Sequence, residues 1–265
     1  MRPLPFISCV ALIVGLMLPG AAHASETAKF RVHFSPNTLG GNATILVDFS
    51  IATSNGQIPS PLTDVNLRLP PGVSLGSSTL GLATCTEGQL KAGGLAGCSP
   101  NALMGLGNAT VEVPFGPIIV AESVAVNIFM GQAINGHTSL LFYADAKTPV
   151  SAQLVFPGEL LEGTSGNFAA ELNTVIPLTP SVPGASYAAV VRMHSSVGPE
   201  HLLYTRQSHG RTVYFRPVGI AIPRKCPVGG FRFDAVLTFQ DGSTITASTS
   251  VPCPPRARKR RRAGK

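Results

Sequence analysis

Apolar and polar residues alternate along much of this chain. Phe30-Arg31-Val32-His33-Phe34 sets three apolar side chains on one side and two polar ones on the other. Val65-Asn66-Leu67-Arg68-Leu69 repeats the pattern, and Ala43-Thr44-Ile45-Leu46-Val47-Asp48-Phe49 follows it in part. A period of two belongs to a pleated strand with one face buried. Further runs of strand character lie at 103–113, 123–131, 138–146, 151–156, 167–175, 187–194, 211–216, 231–239 and 243–251. Pro70-Pro71-Gly72 ends the third run, because proline cannot donate to a ladder. About a dozen strands divided by turn signals predict an all-β fold, an antiparallel two-sheet sandwich of immunoglobulin-like type. One stretch, 86–92, reads as a single helical turn. Thr86 caps it, while Gly88 and Gly93-Gly94 keep it short.

The last hairpin can be argued residue by residue. Phe231, Phe233, Ala235, Leu237 and Phe239 share one face, as do Ile245, Ala247 and Val251 across the turn. Opposed residues of an antiparallel pair point the same way. A two-residue loop at Asp241-Gly242 would set Leu237 against Thr246 and mix the faces. A three-residue loop, Gln240-Asp241-Gly242, sets Leu237 against Ile245 and Phe231 against Val251. Such loops want glycine in the left-handed position, which Gly242 supplies, so a type I turn with a G1 bulge is predicted. A second hairpin turn is predicted at Asn135-Gly136. Gly-Asn-Ala-Thr occurs at 41–44 and 107–110 and leads into a strand each time; the flanks do not match further, which favours two independent entries over a duplication. Asn42 and Asn108 would be glycosylation acceptors in a eukaryotic host. Pro177, Pro180 and Pro183 make 177–184 the candidate boundary if the body divides.

The first residues change the picture from fold to address. Arg2, the apolar run from Phe6 to Leu18, the break at Pro19-Gly20 and Ala22-His23-Ala24 together form a secretory signal peptide, 1–24. The apolar run falls short of the ~20 residues of a membrane span. Cys9 lies inside the run, too early for a lipoprotein. The mature chain should start near Ser25 and meet an oxidising compartment. It keeps Cys85, Cys98, Cys226 and Cys253, which allow three connectivities. Sequence-local pairing, Cys85–Cys98 and Cys226–Cys253, is the expected one. In the hairpin register Cys253 faces Gly229, so the second bridge would staple the open end of the last hairpin. No C-x-x-C and no histidine beside these cysteines suggest a metal.

Charge separates body from tail. The chain carries 20 basic and 13 acidic residues. Seven basic residues (Arg256, Arg258, Lys259, Arg260, Arg261, Arg262 and Lys265) follow Pro255, and Arg2 belongs to the leader. Twelve basic residues remain against all 13 acidic ones, so 25–255 has a net charge of −1. A body so balanced is not expected to build a basic face. The tail, 256–265, has no aromatic residue and follows Pro254-Pro255, a composition that predicts disorder. It could adhere to a polyanion such as a membrane surface or an anionic wall polymer, at ~1 kcal/mol per basic residue near an anionic bilayer. Specific nucleic-acid binding would want interleaved aromatics or a structured groove.

Catalytic signatures are missing. There is no G-x-S-x-G, H-E-x-x-H, P-loop or G-x-G-x-x-G after a strand. His194, His201 and His209 form the densest histidine cluster, with Ser195 and Ser208 beside them, and exposed loop histidines are the plainer reading. Glu159 and Glu162 read as carboxylates on a surface loop from Pro157-Gly158 to Gly163. Sugar binding lacks its usual aromatic platforms: there is no Trp, and the only tyrosines are Tyr143, Tyr187, Tyr204 and Tyr214.

Two stretches resemble known sequences. Leu69-Pro70-Pro71-Gly72-Val73 with Cys85-Thr86-Glu87-Gly88-Gln89-Leu90 and Cys98-Ser99-Pro100 is one. Cys226-Pro227, Phe231-Arg232-Phe233, Phe239-Gln240-Asp241-Gly242-Ser243 and Val251-Pro252-Cys253-Pro254-Pro255 make the other. Both are similar to units of uncharacterised secreted immunoglobulin-like β-sandwich proteins of high-GC Gram-positive bacteria. The resemblance implies an extracytoplasmic β protein and no activity. The expected function is therefore non-enzymatic: a secreted or cell-surface protein with an interaction or structural role, no cofactor and no metal. Its partner would be a protein or a cell-envelope component. The alternative is a secreted hydrolase or ligand-binding enzyme using His194, His201 or His209.

Overall fold

The computed structural model describes residues 25–148, 151–163, 167–180 and 186–254. Residues 1–24, expected to be a signal peptide, and the basic stretch 256–265 lie outside the described residues. Fourteen strands are seen among those described. In chain order the first seven are β1 (Glu26–Ser35), β2 (Asn42–Thr53), β3 (Leu62–Leu69), β4 (Leu103–Phe115), β5 (Ile118–Met130), β6 (Thr138–Ala146) and β7 (Ala152–Glu162). There follow β8 (Ala170–Val175), β9 (Ala189–Val197), β10 (Tyr204–Ser208), β11 (Arg211–Phe215), β12 (Ile220–Ala221), β13 (Phe231–Phe239) and β14 (Thr244–Val251). One α-helix, α1 (Glu87–Gly93), lies between β3 and β4.

The fold is all-β and antiparallel, but in place of the two facing sheets of a sandwich it has one large sheet and a small one, β10 with β11. One path runs β1-β2-β9-β4-β5-β6-β7-β8-β3-β13-β14, with β12 paired to β2. The path curls until its two edges, β1 and β14, lie side by side, so the sheet is nearly a barrel. Eleven antiparallel neighbours around a ring leave the closing pair parallel. The contacts agree: Ser243 Oγ reaches Glu26 Oε2 at the start of both strands, and Asn37 Nδ2 donates to Pro252 O beyond their ends. Period-2 patterning decides which face of each strand is buried but not which strands lie side by side. The segment containing 177–184 joins β8 to β9, both members of this sheet; residues 181–184 lie outside the described part.

Local expectations are met where short-range chemistry fixes them. Leu237 faces Ile245 and Phe231 faces Val251. Gly242, at φ 84°, donates its N–H to Phe239 O at 2.9 Å, which closes the type I turn. Asn135 (φ 52°) and Gly136 (φ 83°) form the two-residue hairpin turn between β5 and β6. Thr86 caps α1 through a reciprocal pair: its hydroxyl accepts from Gln89 N, and Gln89 Oε1 accepts from Thr86 N. Both local cysteine pairs are disulfides, with Cα separations of 5.5 Å for Cys85–Cys98 and 5.8 Å for Cys226–Cys253.

Other expectations are corrected. Glu159 and Glu162 stand in β7, not in a loop. The strand continues through Pro157 because β8 pairs with it only from Gly158 onward. Pro157 therefore needs a ladder partner on one side only, Leu141 of β6. The second Gly-Asn-Ala-Thr does not lead into a strand, since Asn108 lies in the middle of β4. β10 and β12 were not legible as strands, because one is largely polar and the other has two residues.

The interior is filled unevenly. On one side Phe34 of β1 meets Phe231 and Phe233 of β13 edge-on, with ring centroids 5.4 and 5.9 Å apart. Outside the sheet a second cluster joins Leu90 and the Cys85–Cys98 bridge to Phe129, Leu141 and Tyr143. This patch explains why β6 (TSLLFYADA) is apolar on both faces: one looks inward, and α1 with its disulfide loop covers the other.

Candidate functional site

The inward positions of β4 to β9 do not fill the space they enclose. A cavity of about 230 Å³ remains among them. It exists because alternation is strict. Val124, Val126 and Ile128 of β5, Leu140, Phe142 and Ala144 of β6, and Leu154 and Phe156 of β7 all point inward. Small inward residues such as Ala109, Ala144, Ala146, Ala152 and Ala188 line it, and they leave room where larger ones would close it. A second cavity of about 440 Å³ continues toward the other end of the barrel, past Val73, Leu75, Met104 and Ile220. The two share Val47, Leu67, Leu140, Leu172 and Val197, which form a common waist. The larger volume falls in the range of ~300–1,000 Å³ usual for small-molecule sites.

The first cavity is almost wholly hydrocarbon. Glu122, Thr174, Thr179 and Ser195 are its only polar side chains among the described residues. Glu122 is 2 % exposed. It occupies an inward position of β5, where alternation calls for an apolar residue. It is an acidic group in the lining of an otherwise largely apolar chamber. A signal for it existed in the sequence: Glu122 precedes Val124, Val126 and Ile128 in the same period-2 register. Opposite the polar end, Glu162 and Ser74 are the polar lining of the second cavity.

The histidines have separate settings. His194 stands on the outer face of β9, its Nδ1 2.6 Å from Asp48 Oδ1 on β2. His201 lies in the turn after β9, with Nε2 3.9 Å from Glu200 Oε1. His209 is at the tip of the β10–β11 hairpin, where Ser208 Oγ lies 3.2 Å from its Nδ1. Ser195 points inward to the cavity while His194 points out, so these neighbours cannot act together. Among the described residues no group of three or more His, Cys, Asp or Glu is placed to hold a metal. Tyr143 and Tyr204 are buried, whereas Tyr214 is exposed. Arg256, Arg258, Lys259, Arg260, Arg261, Arg262 and Lys265 fall outside the described residues.

Ionisation is perturbed away from the cavity. Burial raises the Asp234 carboxyl, but Arg232, Ser248 and the charge of Arg68 outweigh that and leave it below its ordinary value. Burial raises the Tyr204 phenol, with a smaller opposing effect from the Gly81 N–H.

Comparison adds no relative. The chain significantly matches no protein-family model, no curated protein and no solved structure. The reading of the site rests on its own geometry. The outer face carries Arg192, His194, Asp48 and Asn127, so the sheet is apolar inside and polar outside. That is the inverse of a membrane-spanning barrel. No helix among the described residues is long and apolar enough to cross a membrane.

Proposed function

We propose that this chain is an exported, non-enzymatic protein that binds an apolar small molecule inside its sheet. The cavity carries the reading. An interior lined by valine, leucine and phenylalanine gives up dispersion contacts and stays dry until an apolar molecule fills it. Each methylene buried there contributes about 0.8 kcal/mol. An elongated hydrocarbon chain fits the two chambers and the waist between them. The separate settings of His194, His201 and His209 support binding over hydrolysis.

Two disulfides suit an oxidising compartment, and the signal-like leader provides the route. The basic tail, 256–265, would hold the exported protein near an anionic envelope.

The test is titration of the oxidised full-length protein with N-phenyl-1-naphthylamine, a neutral dye that brightens in apolar surroundings. Saturable 1:1 brightening, reversed by a long-chain alcohol, is expected. A flat titration from a protein with a β-type far-UV spectrum would remove the proposal.

A further inference from the structure

The near-neutral body hides an uneven charge distribution. Between His201 and Phe233 there is no acidic residue, yet six of the twelve basic residues of 25–255 lie there: Arg206, Arg211, Arg216, Arg224, Lys225 and Arg232. All six are exposed, and Arg232, on β13, is paired with the Asp234 carboxylate. Three of them belong to or follow the β10–β11 hairpin, which forms a sheet of its own. Its base is held firmly. The Tyr204 hydroxyl donates to Leu103 O and accepts from Gly81 N, and Asn101 exchanges two hydrogen bonds with the Thr205 backbone. Beyond that base, Val213 and Tyr214 are 37 % and 64 % exposed. Leu203 and Val218, on the flanks, are exposed as well.

We propose that this hairpin and its flanks dock the protein on an anionic phospholipid bilayer. Arginine supplies the attraction to the headgroups. Tyr214 has the apolar body and polar tip that suit the interface between headgroups and acyl chains. An acidic protein partner would explain the arginines but not exposed Val213, which shares a face of the hairpin with Arg206 and Arg211, nor exposed Tyr214 on the other face. A single-stranded nucleic acid would need several open aromatic faces. Here only Tyr214 is open: Phe215 is edge-on to Tyr204 and has the Arg206 guanidinium 5.5 Å from its ring centre. The hairpin lies at the same end of the barrel as the larger cavity, so docking would bring that cavity toward the lipid. The inference does not depend on the cavity holding a ligand.

The chain has no tryptophan, which makes an unambiguous probe available. Tyr214→Trp in the full-length protein should give emission that shifts to the blue with phosphatidylglycerol-containing vesicles and stays put with pure phosphatidylcholine. Arg211→Gln with Arg216→Gln should weaken vesicle co-sedimentation of the otherwise wild-type chain about twenty-five-fold, about fivefold per arginine. Co-sedimentation without a blue shift would mean that the basic tail alone adheres, and would overturn the proposal. An equal shift with single-stranded DNA, or undiminished co-sedimentation of the double variant, would overturn it too.

Discussion

Phe142 and Phe156 sit directly opposite each other on β6 and β7, and their rings stack with centroids 5.4 Å apart and planes 12° from parallel. Both belong to the cavity wall. The stack contributes about 0.5–1.5 kcal/mol beyond area burial. It ties two neighbouring strands of the same wall together.

Leu140 lies at the waist between the two chambers. Leu140→Trp should fit within the empty volume, with a stability change below about 2 kcal/mol. It should weaken binding of a long-chain alcohol at least tenfold by cutting the passage. Chemical denaturation and dye displacement on the same sample separate the two effects.

Removing the Cys226–Cys253 bridge with a double alanine variant should lower stability by about 3–4 kcal/mol, from the loop it closes. The bridge spans 27 residues, whereas Cys85–Cys98 spans 13, so its loss should cost slightly more. Urea midpoints of the two double variants, each prepared oxidised, give the comparison.

Asp234 makes stability depend on acid. Its carboxyl titrates below the ordinary aspartate value when the protein is folded, despite the raising effect of burial. Near pH 7 the folded state therefore gains from the ionised form. That gain is fully present above the unfolded value of about 3.9 and is lost as pH falls through the lower folded one. Asp234→Asn should be less stable than the wild type at pH 7, and the gap should be narrower at pH 3. Urea midpoints at the two pH values test it.

Gly230 and Gly242 share a left-handed φ, 89° and 84°. Around Gly242 a methyl group would meet nothing within 4 Å, so Gly242→Ala should cost only the ~1–2 kcal/mol of backbone conformation. At Gly230 the same methyl would sit 2.4 Å from Val251 O. Gly230→Ala should therefore cost clearly more, and thermal melting of the pair shows the order.

The parts of the fold legible in the sequence are those whose causes are close together. Gly242 fixed the turn, the turn fixed the register, and the register brought Cys253 near Cys226. Thr86 and Gln89 announced the cap of α1. Pro157 misled, because its tolerance depended on where a strand thirteen residues away in sequence stops pairing. The net charge of 25–255 misled as well. It averaged out a run, 201–233, that is free of acidic residues and whose six basic side chains are all exposed.

Alternation alone determined that this chain builds antiparallel strands with one apolar face each, and short cysteine spacings determined how its sulfurs pair. Those are local properties, set by turn chemistry and a two-residue repeat. Only the tertiary structure decided that the strands join one curled sheet. It also decided that phenylalanines fill one side of the interior while small residues leave the other open. Neighbour choice and residual volume depend on residues far apart in sequence, and no local pattern records them.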